Sequence, residues 1–330
     1  MEGAVAVVGG GAWGLALAAA SARTGKKTLL LSRRAHDGAL PGGVTIARDD
    51  AQVGREARLI FLAVPSGVVR EVARGLGAHL DGRHFVVHGV RGLVGERLQT
   101  ISDVVREETP VRRMGALGGP ALASDLLAGR PSVMVCGSRY PEVLVAVEAA
   151  FASPSLRLYS TPDLLGLEWA SALVGCLAIG VGYARGIGLG PGLMAAVITR
   201  AVEEAARLAS AAGGEERTLL GLAGYGDMLA SIAQTERPEV LVGEALARGK
   251  TVAQAVADAK QRVEAVDVAG RIAAWAERAG VRAPIMTTLA NGILAGRAHT
   301  PGGAGSTPDA GDAGLTPDAL VQQLMTAPRP

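Results

Sequence analysis

The run VAVVGGGAWG places Gly9, Gly11 and Gly14 in a GxGxxG spacing, directly after an apolar strand-like stretch and before an Ala-rich helical one. That spacing suits a phosphate-binding turn. Gly9 permits the tight reversal, Gly11 lets backbone approach a pyrophosphate, and Gly14 allows close packing of helix on strand. The pyrophosphate of a dinucleotide then rests on the amides of the helix N-terminus. At the end of the second strand, an acidic residue binds the ribose 2′-hydroxyl of NAD, whereas an arginine accommodates the 2′-phosphate of NADP. This chain has Leu31, Ser32, Arg33 and Arg34 there, with no acid. Two adjacent guanidiniums attract a phosphate dianion through charge-assisted hydrogen bonds. The expected cofactor is NADP(H), with NAD(H) as the second possibility.

The elements that must hold such a turn are legible in the first half of the chain. Ala4–Val8, Thr28–Leu31, Leu59–Val64, Phe85–His88 and Ser132–Val135 read as strands without in/out alternation. This is the pattern of a parallel sheet covered by helices on both faces. Between them, Leu15–Thr24 and Val68–Leu80 have helical composition and stop at Gly25 and Gly82. Strand and helix in alternation predict a doubly wound, Rossmann-type α/β domain. From about Leu164 the strands give way to helical patterns at Leu164–Tyr183, Leu193–Ala212, Arg217–Leu222, Pro238–Ala247, Thr251–Lys260, Val266–Ala279 and Ile285–Ala295. The expected division is a dinucleotide-binding domain over 1–158 and an all-α substrate domain over 159–298. A flexible Gly/Pro-rich insertion is expected over 299–317, and a last helix and tail over 318–330.

Bulk composition narrows the function classes. With 49% hydrophobic and 19% charged residues in 330, the chain is globular and long enough for two buried cores. Aromatics at 3% leave the cores to Ala, Leu and Val. A net charge of +2 without a basic, aromatic-laced stripe argues against nucleic acid. Cys136 and Cys176 sit in no CxxC or Cys/His cluster, which gives no zinc site and suits a reducing cytoplasm. No targeting segment is visible, and the apolar stretch Ala170–Tyr183 is too short for a membrane span and reads as a buried core helix.

Further segments are jointly informative: GGGAWGLALA, LIFLAVPSGVVREV, GGPALA, FASPSLRLYSTPDLLGLEWASAL, VITRAVEEAARLA, LAGYGDML, RVEAV and GVRAPI. In this order they resemble the bacterial NAD(P)-dependent glycerol-3-phosphate dehydrogenases, from about Ala4 to Leu294 and again at LTPDALVQQLM. The resemblance implies a 6-phosphogluconate-dehydrogenase-like helical domain and a homodimer. It implies NADPH-dependent reduction of a small molecule, dihydroxyacetone phosphate, to sn-glycerol 3-phosphate, a glycerophospholipid precursor. The cofactor half carries over. Gly9, Gly11, Ala12, Trp13 and Gly14 match the turn, Arg33 and Arg34 the 2′-phosphate position, Pro65 an AVPS turn, Ala123 a cofactor-touching position, and Glu264 the acid of a VEG motif.

The substrate half departs from the pattern. The lysine of the family's LKN motif falls on Val174, followed by Gly175, and the lysine of its TKG motif falls on Arg91. Gly118, Gly119 and Ala121 stand where the family has SGPSFA, and Arg237, Pro238 and Glu239 stand where it has the phosphate-gripping SRN. Arg91, Gly119, Ala121, Asp227, Ser231 and Arg237 are the expected substrate contacts, with Asp227 and Arg91 the expected catalytic groups. An Asp at this place is equally a helix-start residue. Among substitutes for the missing acid, Lys250 and Lys260 belong to the helical periphery, as solvated lysines do. His84 and His88 remain, and His88 ends a strand at the edge where ligands bind. Two readings follow: an active oxidoreductase, on this or another carbonyl substrate, and a non-catalytic NADP(H)-binding sensor or partner subunit.

Overall fold

The computed structural model describes residues 3–34, 40–234, 237–260 and 262–296. The expected 299–317 insertion and the helix and tail at 318–330 lie outside the described residues. In chain order the elements are β1 (Ala4–Val8), α1 (Ala12–Ala22), β2 (Thr28–Leu31), β3 (Val44–Ile46), α2 (Asp50–Glu56), β4 (Ala57–Leu62), α3 (Val69–Gly77), β5 (Phe85–His88), α4 (Ile101–Glu108), β6 (Arg113–Gly118), α5 (Ala123–Ala128), β7 (Ser132–Gly137), α6 (Pro141–Phe151) and β8 (Leu156–Thr161). Helices alone follow: α7 (Leu164–Gly186), α8 (Pro191–Ala211), α9 (Glu216–Leu220), α10 (Asp227–Ala233), α11 (Pro238–Ala247), α12 (Val252–Asp258), α13 (Ala265–Arg278) and α14 (Pro284–Thr288).

The strands form one sheet in the order β3-β2-β1-β4-β5-β6-β7-β8, parallel throughout except where β6 meets β7. The reason the inner strands carry no polar face is visible in their alternation. Val5 and Val7 of β1, Leu59 and Phe61 of β4, and Phe85 and Val87 of β5 join one core cluster with α1, α5 and α6. Ala4, Ala6, Val8, Ile60, Leu62 and Val86 join the other, with α2, α3 and α4. Both faces are dry, as doubly wound sheets require. Phe61 and Phe151 meet at 5.0 Å between ring centroids, one of few aromatic contacts in a core built from aliphatics.

Three strands escape the sequence pattern. β3 is only three residues long, β6 begins with Arg113 and contains two glycines, and β8 exposes Arg157, Tyr159 and Ser160 at the sheet edge. Depletion of Gly and charge in strands is a statistical habit that pairing in the interior of a sheet overrides. β4 also starts two residues earlier and ends two earlier than expected, although the Ala63 amide still donates to the Val8 carbonyl of β1 at 2.8 Å.

The chain divides into two compact units, residues 1–171 with 213–227, and residues 172–212 with 228–330. The second unit is helical. Its helices α7 and α11 approach at backbone distance, since a Cβ at Gly182 would lie 2.1 Å from the Val240 carbonyl oxygen and one at Gly243 2.0 Å from that of Ile179. Glu204, 1% exposed, accepts the amides of Ile285 (2.9 Å) and Met286 (2.7 Å) and so anchors the first turn of α14 to α8. Helix α7 is longer than the apolar stretch that announced it. By length and composition it could cross a membrane, but 89% of its most apolar window is buried within the protein.

Candidate cofactor and substrate site

The glycine-rich turn has the geometry of a dinucleotide cradle. Gly9 has φ +121°, and a Cβ there would lie 2.2 Å from the Ala63 carbonyl oxygen. A Cβ on Gly14 would lie 1.9 Å from the carbonyl of Gly9, so helix α1 sits against the turn only because Gly14 has no side chain. At Gly11 a Cβ would meet nothing within 4 Å. Gly11 is the N-cap of α1, no side chain caps that helix end, and its first turn holds no acid. Bare amides, positive end of the helix dipole and open space coincide, which fits the pyrophosphate of a dinucleotide. The cradle lies where the strand order reverses, between β1 and β4.

Trp13 explains a glycine that sequence reasoning passed over. A Cβ at Gly89 would come within 2.3 Å of Trp13 Nε1. The indole N–H is buried and has no hydrogen-bond partner among the described residues. The sequence signal was available, since Gly89 follows a strand directly and a bare glycine there marks close approach by another group. Arg33 and Arg34 are exposed just beyond β2, with Arg33 at 4.0 Å from Glu71 and the turn pinned by Ser32 Oγ accepting from the Arg34 amide at 3.1 Å. Pro65 is exposed, Ala123 opens α5 half-buried, and Ala12 is the exposed first residue of α1.

Arg91 and Asp227 meet within the first unit. Arg91 Nη1 lies 2.7 Å from Asp227 Oδ2 and Nη2 donates to Oδ1 at 3.2 Å, a two-pronged pair. The Asp227 side chain is 2% exposed and that of Arg91 36%. Asp227 is also the first residue of α10, the place the helix-start reading gave it. The segment 213–227 belongs to the first unit, and Asp163 secures it by accepting the Glu215 amide at 2.8 Å. Gly119, with φ +91°, and Ala121, 8% exposed, follow β6 in the same unit. A Cβ on Gly118 would lie 3.0 Å from Ser171 Oγ, so a serine there would crowd α7.

The two histidines are both buried and present no open acid. His84, 1% exposed, is held between Asp81 and the Gly54 carbonyl. His88, 3% exposed, hydrogen-bonds Glu168 Oε1 through Nε2 at 2.9 Å, and the same carboxylate accepts the amide and hydroxyl of Ser102, each at 2.8 Å. The expectation that His88 could replace the missing acid is therefore corrected, because its ring is spent on Glu168. Lys250 pairs with Asp258, and Lys260 is exposed with φ +51°.

In the second unit the positions of the departed motifs are filled by the protein itself. Val174 is 3% exposed among aliphatic neighbours of α7. A Cβ at Gly175 would face Ala265 at 3.5 Å and Glu239 Oε1 at 3.9 Å. Arg237, 6% exposed, donates through Nε to Glu239 Oε2 at 3.1 Å and through Nη1 to Ser231. Glu239 is thus the counter-ion of Arg237, a role its sequence position two residues on allowed but did not announce. Glu264 is half-buried at the N-cap of α13. Burial pushes the Cys136 and Cys176 thiols up to about 12, which removes both as nucleophiles.

Comparison with known proteins decides the family. The model of the NAD-dependent glycerol-3-phosphate dehydrogenase N-terminus matches residues 32–144, and that of its C-terminus matches residues 163–300. The chain belongs to the NAD-dependent glycerol-3-phosphate dehydrogenase family. It is 35% identical over 296 residues to an NAD(P)+ glycerol-3-phosphate dehydrogenase of Gluconobacter oxydans, covering 86% of this chain and 90% of the relative. It is 30% identical over 309 residues to that of Teredinibacter turnerae, covering 89% and 91%. The crystal structure of glycerol-3-phosphate dehydrogenase from Coxiella burnetii superposes with a TM-score of 0.85 at 26% identity over 99% of both chains. The sequence resemblance and the doubly wound fold with a helical second part are both borne out.

Proposed function

We propose that this family member binds NADP(H) on the Gly9–Gly14 turn and reduces dihydroxyacetone phosphate to sn-glycerol 3-phosphate. The observation that carries the reading is the Arg91–Asp227 pair in the dinucleotide-binding unit, on the turn that follows the β5 strand end and two residues beyond the Trp13–Gly89 contact. When bound, the nicotinamide supplies the hydride. Gly11 and the α1 amides would hold the pyrophosphate, Arg33 and Arg34 the 2′-phosphate, and Trp13 and Pro65 belong to the turns that would receive the rest of the cofactor. Asp227 fixes the Arg91 fork by accepting a hydrogen bond from Nη2 and lying against Nη1 as an ion pair. A guanidinium stays charged at every working pH, so Arg91 stabilises negative charge on the carbonyl oxygen or a phosphate oxygen, and does not give up a proton. The proton that completes the alcohol then comes from water. The direct test is NADPH consumption with dihydroxyacetone phosphate, compared with an Arg91→Ala variant.

A second reading is favoured by the second unit. Val174 is a buried aliphatic where the resemblance places a lysine, and Glu239 already neutralises Arg237. On that reading the chain binds NADP(H) and takes another carbonyl compound, or none, as a sensor or partner subunit. Calorimetric titration with NADPH followed by the dihydroxyacetone phosphate assay separates the two: binding with turnover supports the first, binding without turnover the second. The reading extends to a cytoplasmic homodimer assembled through its helices, supported by the family resemblance and checked by light scattering and cell fractionation.

A further inference from the structure

We infer that His88 and Glu168 form a positioning pair that sets Arg91 for the reaction. The inference rests on the reading of Arg91 given above and adds two residues to it. Glu168 is the only carboxylate in the apolar first half of α7, and it is 2% exposed. A polar group so deeply buried needs its hydrogen bonds made. It has them: the amide and hydroxyl of Ser102 at the start of α4, and His88 Nε2 at the end of β5. Since Nε2 faces a carboxylate, it carries the proton, and Nδ1 is left as the acceptor. The Val90 amide points at that Nδ1 at 3.4 Å. The imidazole therefore spans from the carboxylate on α7 to the backbone amide one residue before Arg91.

The turn needs such a strut. Gly92 has φ +145°, and Gly89 has no side chain with which to resist the Trp13 indole at its flank, so neither glycine constrains the backbone between them. Arg91 is held at its far end by Asp227. His88 holds the near end. Without it the backbone that carries the fork loses this support, and its position relative to the cofactor turn spreads over more conformations. Misplacement of a binding group by about 1 Å is enough to cost up to about 10²-fold in rate.

The test is a double-mutant cycle in the full chain. His88→Phe fills the volume and removes both ring nitrogens, while His88→Gln keeps a donor for Glu168. His88→Phe is expected to raise KM for dihydroxyacetone phosphate about tenfold, the weight of a buried hydrogen bond, with the NADPH Kd within about twofold of wild type. His88→Gln should recover part of that loss. In an Arg91→Ala background the effect of His88→Phe on KM should vanish, because neighbours acting through one group are non-additive. A purely structural His88 would lower the melting temperature in both backgrounds and leave the KM effect the same size in each, and that result overturns the inference. If wild type does not turn over dihydroxyacetone phosphate, the proposed function fails separately. The same cycle is then read in urea unfolding: Arg91→Ala should lower the midpoint by clearly less in the His88→Phe background than in wild type, and equal shifts overturn the pair.

Discussion

Asp227 faces both terminal nitrogens of Arg91, an ion-pair contact at 2.7 Å to Nη1 and a hydrogen bond at 3.2 Å from Nη2, across a separation of 136 residues in the chain. The carboxylate is almost wholly buried and the guanidinium is partly exposed, so the pair reaches from the interior of the unit toward its surface. Arg91→Ala should lower kcat/KM by about 10²- to 10³-fold, the weight of one preorganised charge-stabilising group. Arg91→Lys keeps charge but loses the fork, so it should fall between wild type and the alanine variant in steady-state kinetics.

The glycine turn allows a test that separates folding from binding. Gly11→Ala adds a methyl into space that is empty of protein, so unfolding stability should stay within about 0.5 kcal/mol of wild type. The same methyl intrudes on the pyrophosphate, and calorimetry should show NADPH affinity reduced about tenfold or more. Gly14→Ala should lose both, since its methyl meets the Gly9 carbonyl.

Preference between the two nicotinamide cofactors should reside in Arg33 and Arg34. Each charge-assisted hydrogen bond to a 2′-phosphate is worth about 1.5–3 kcal/mol. The double variant Arg33→Ala, Arg34→Ala should therefore raise KM for NADPH by about 10²-fold or more and leave KM for NADH nearly unchanged. Equal losses for both cofactors would place the 2′-phosphate elsewhere.

Glu204 gives a pH-dependent prediction. Burial raises its carboxyl above the usual range, and the amides of Ile285 and Met286 oppose that only in part. A group with a raised folded-state value contributes stability that is fully present below its ordinary value of 4.5 and is lost as pH rises through the raised one. Glu204→Gln removes that dependence. The stability of the glutamine variant relative to wild type should rise as pH goes from 4 toward 7, measured by urea unfolding at each pH.

What the sequence disclosed depended on whether the signal was local. The turn at Gly9–Gly14 is contiguous, and β1, β2, β4, β5 and β7 read as apolar runs. β6 and β8 did not, because RMGALG has a charged start and two glycines, and LRLYST is exposed at Arg157, Tyr159 and Ser160. The partnership of His88, Ser102 and Glu168 had half a signal. A lone glutamate in the apolar run LLGLEWASALVGCLAIG demands partners, but those partners lie 66 and 80 residues away and nothing local names them. Arg237 and Glu239 are the converse case, neighbours in sequence whose pairing depends on the N-terminal turn of α11 bringing one carboxylate back onto the preceding guanidinium.

The path of the chain carries a consequence for how this protein can be cut and recombined. The backbone leaves the dinucleotide-binding unit after Ser171, returns at Gly213 and leaves again after Asp227. A fragment ending at 171 would retain the cradle and Arg91 but strip away the carboxylate that balances it. Shuffling between relatives at the end of the strand-bearing region would separate residues that have to be inherited together. The covalent halves of this gene are not its modules, and any chimera that keeps the site intact has to take the fifteen-residue return, Gly213–Asp227, from the same parent as the sheet.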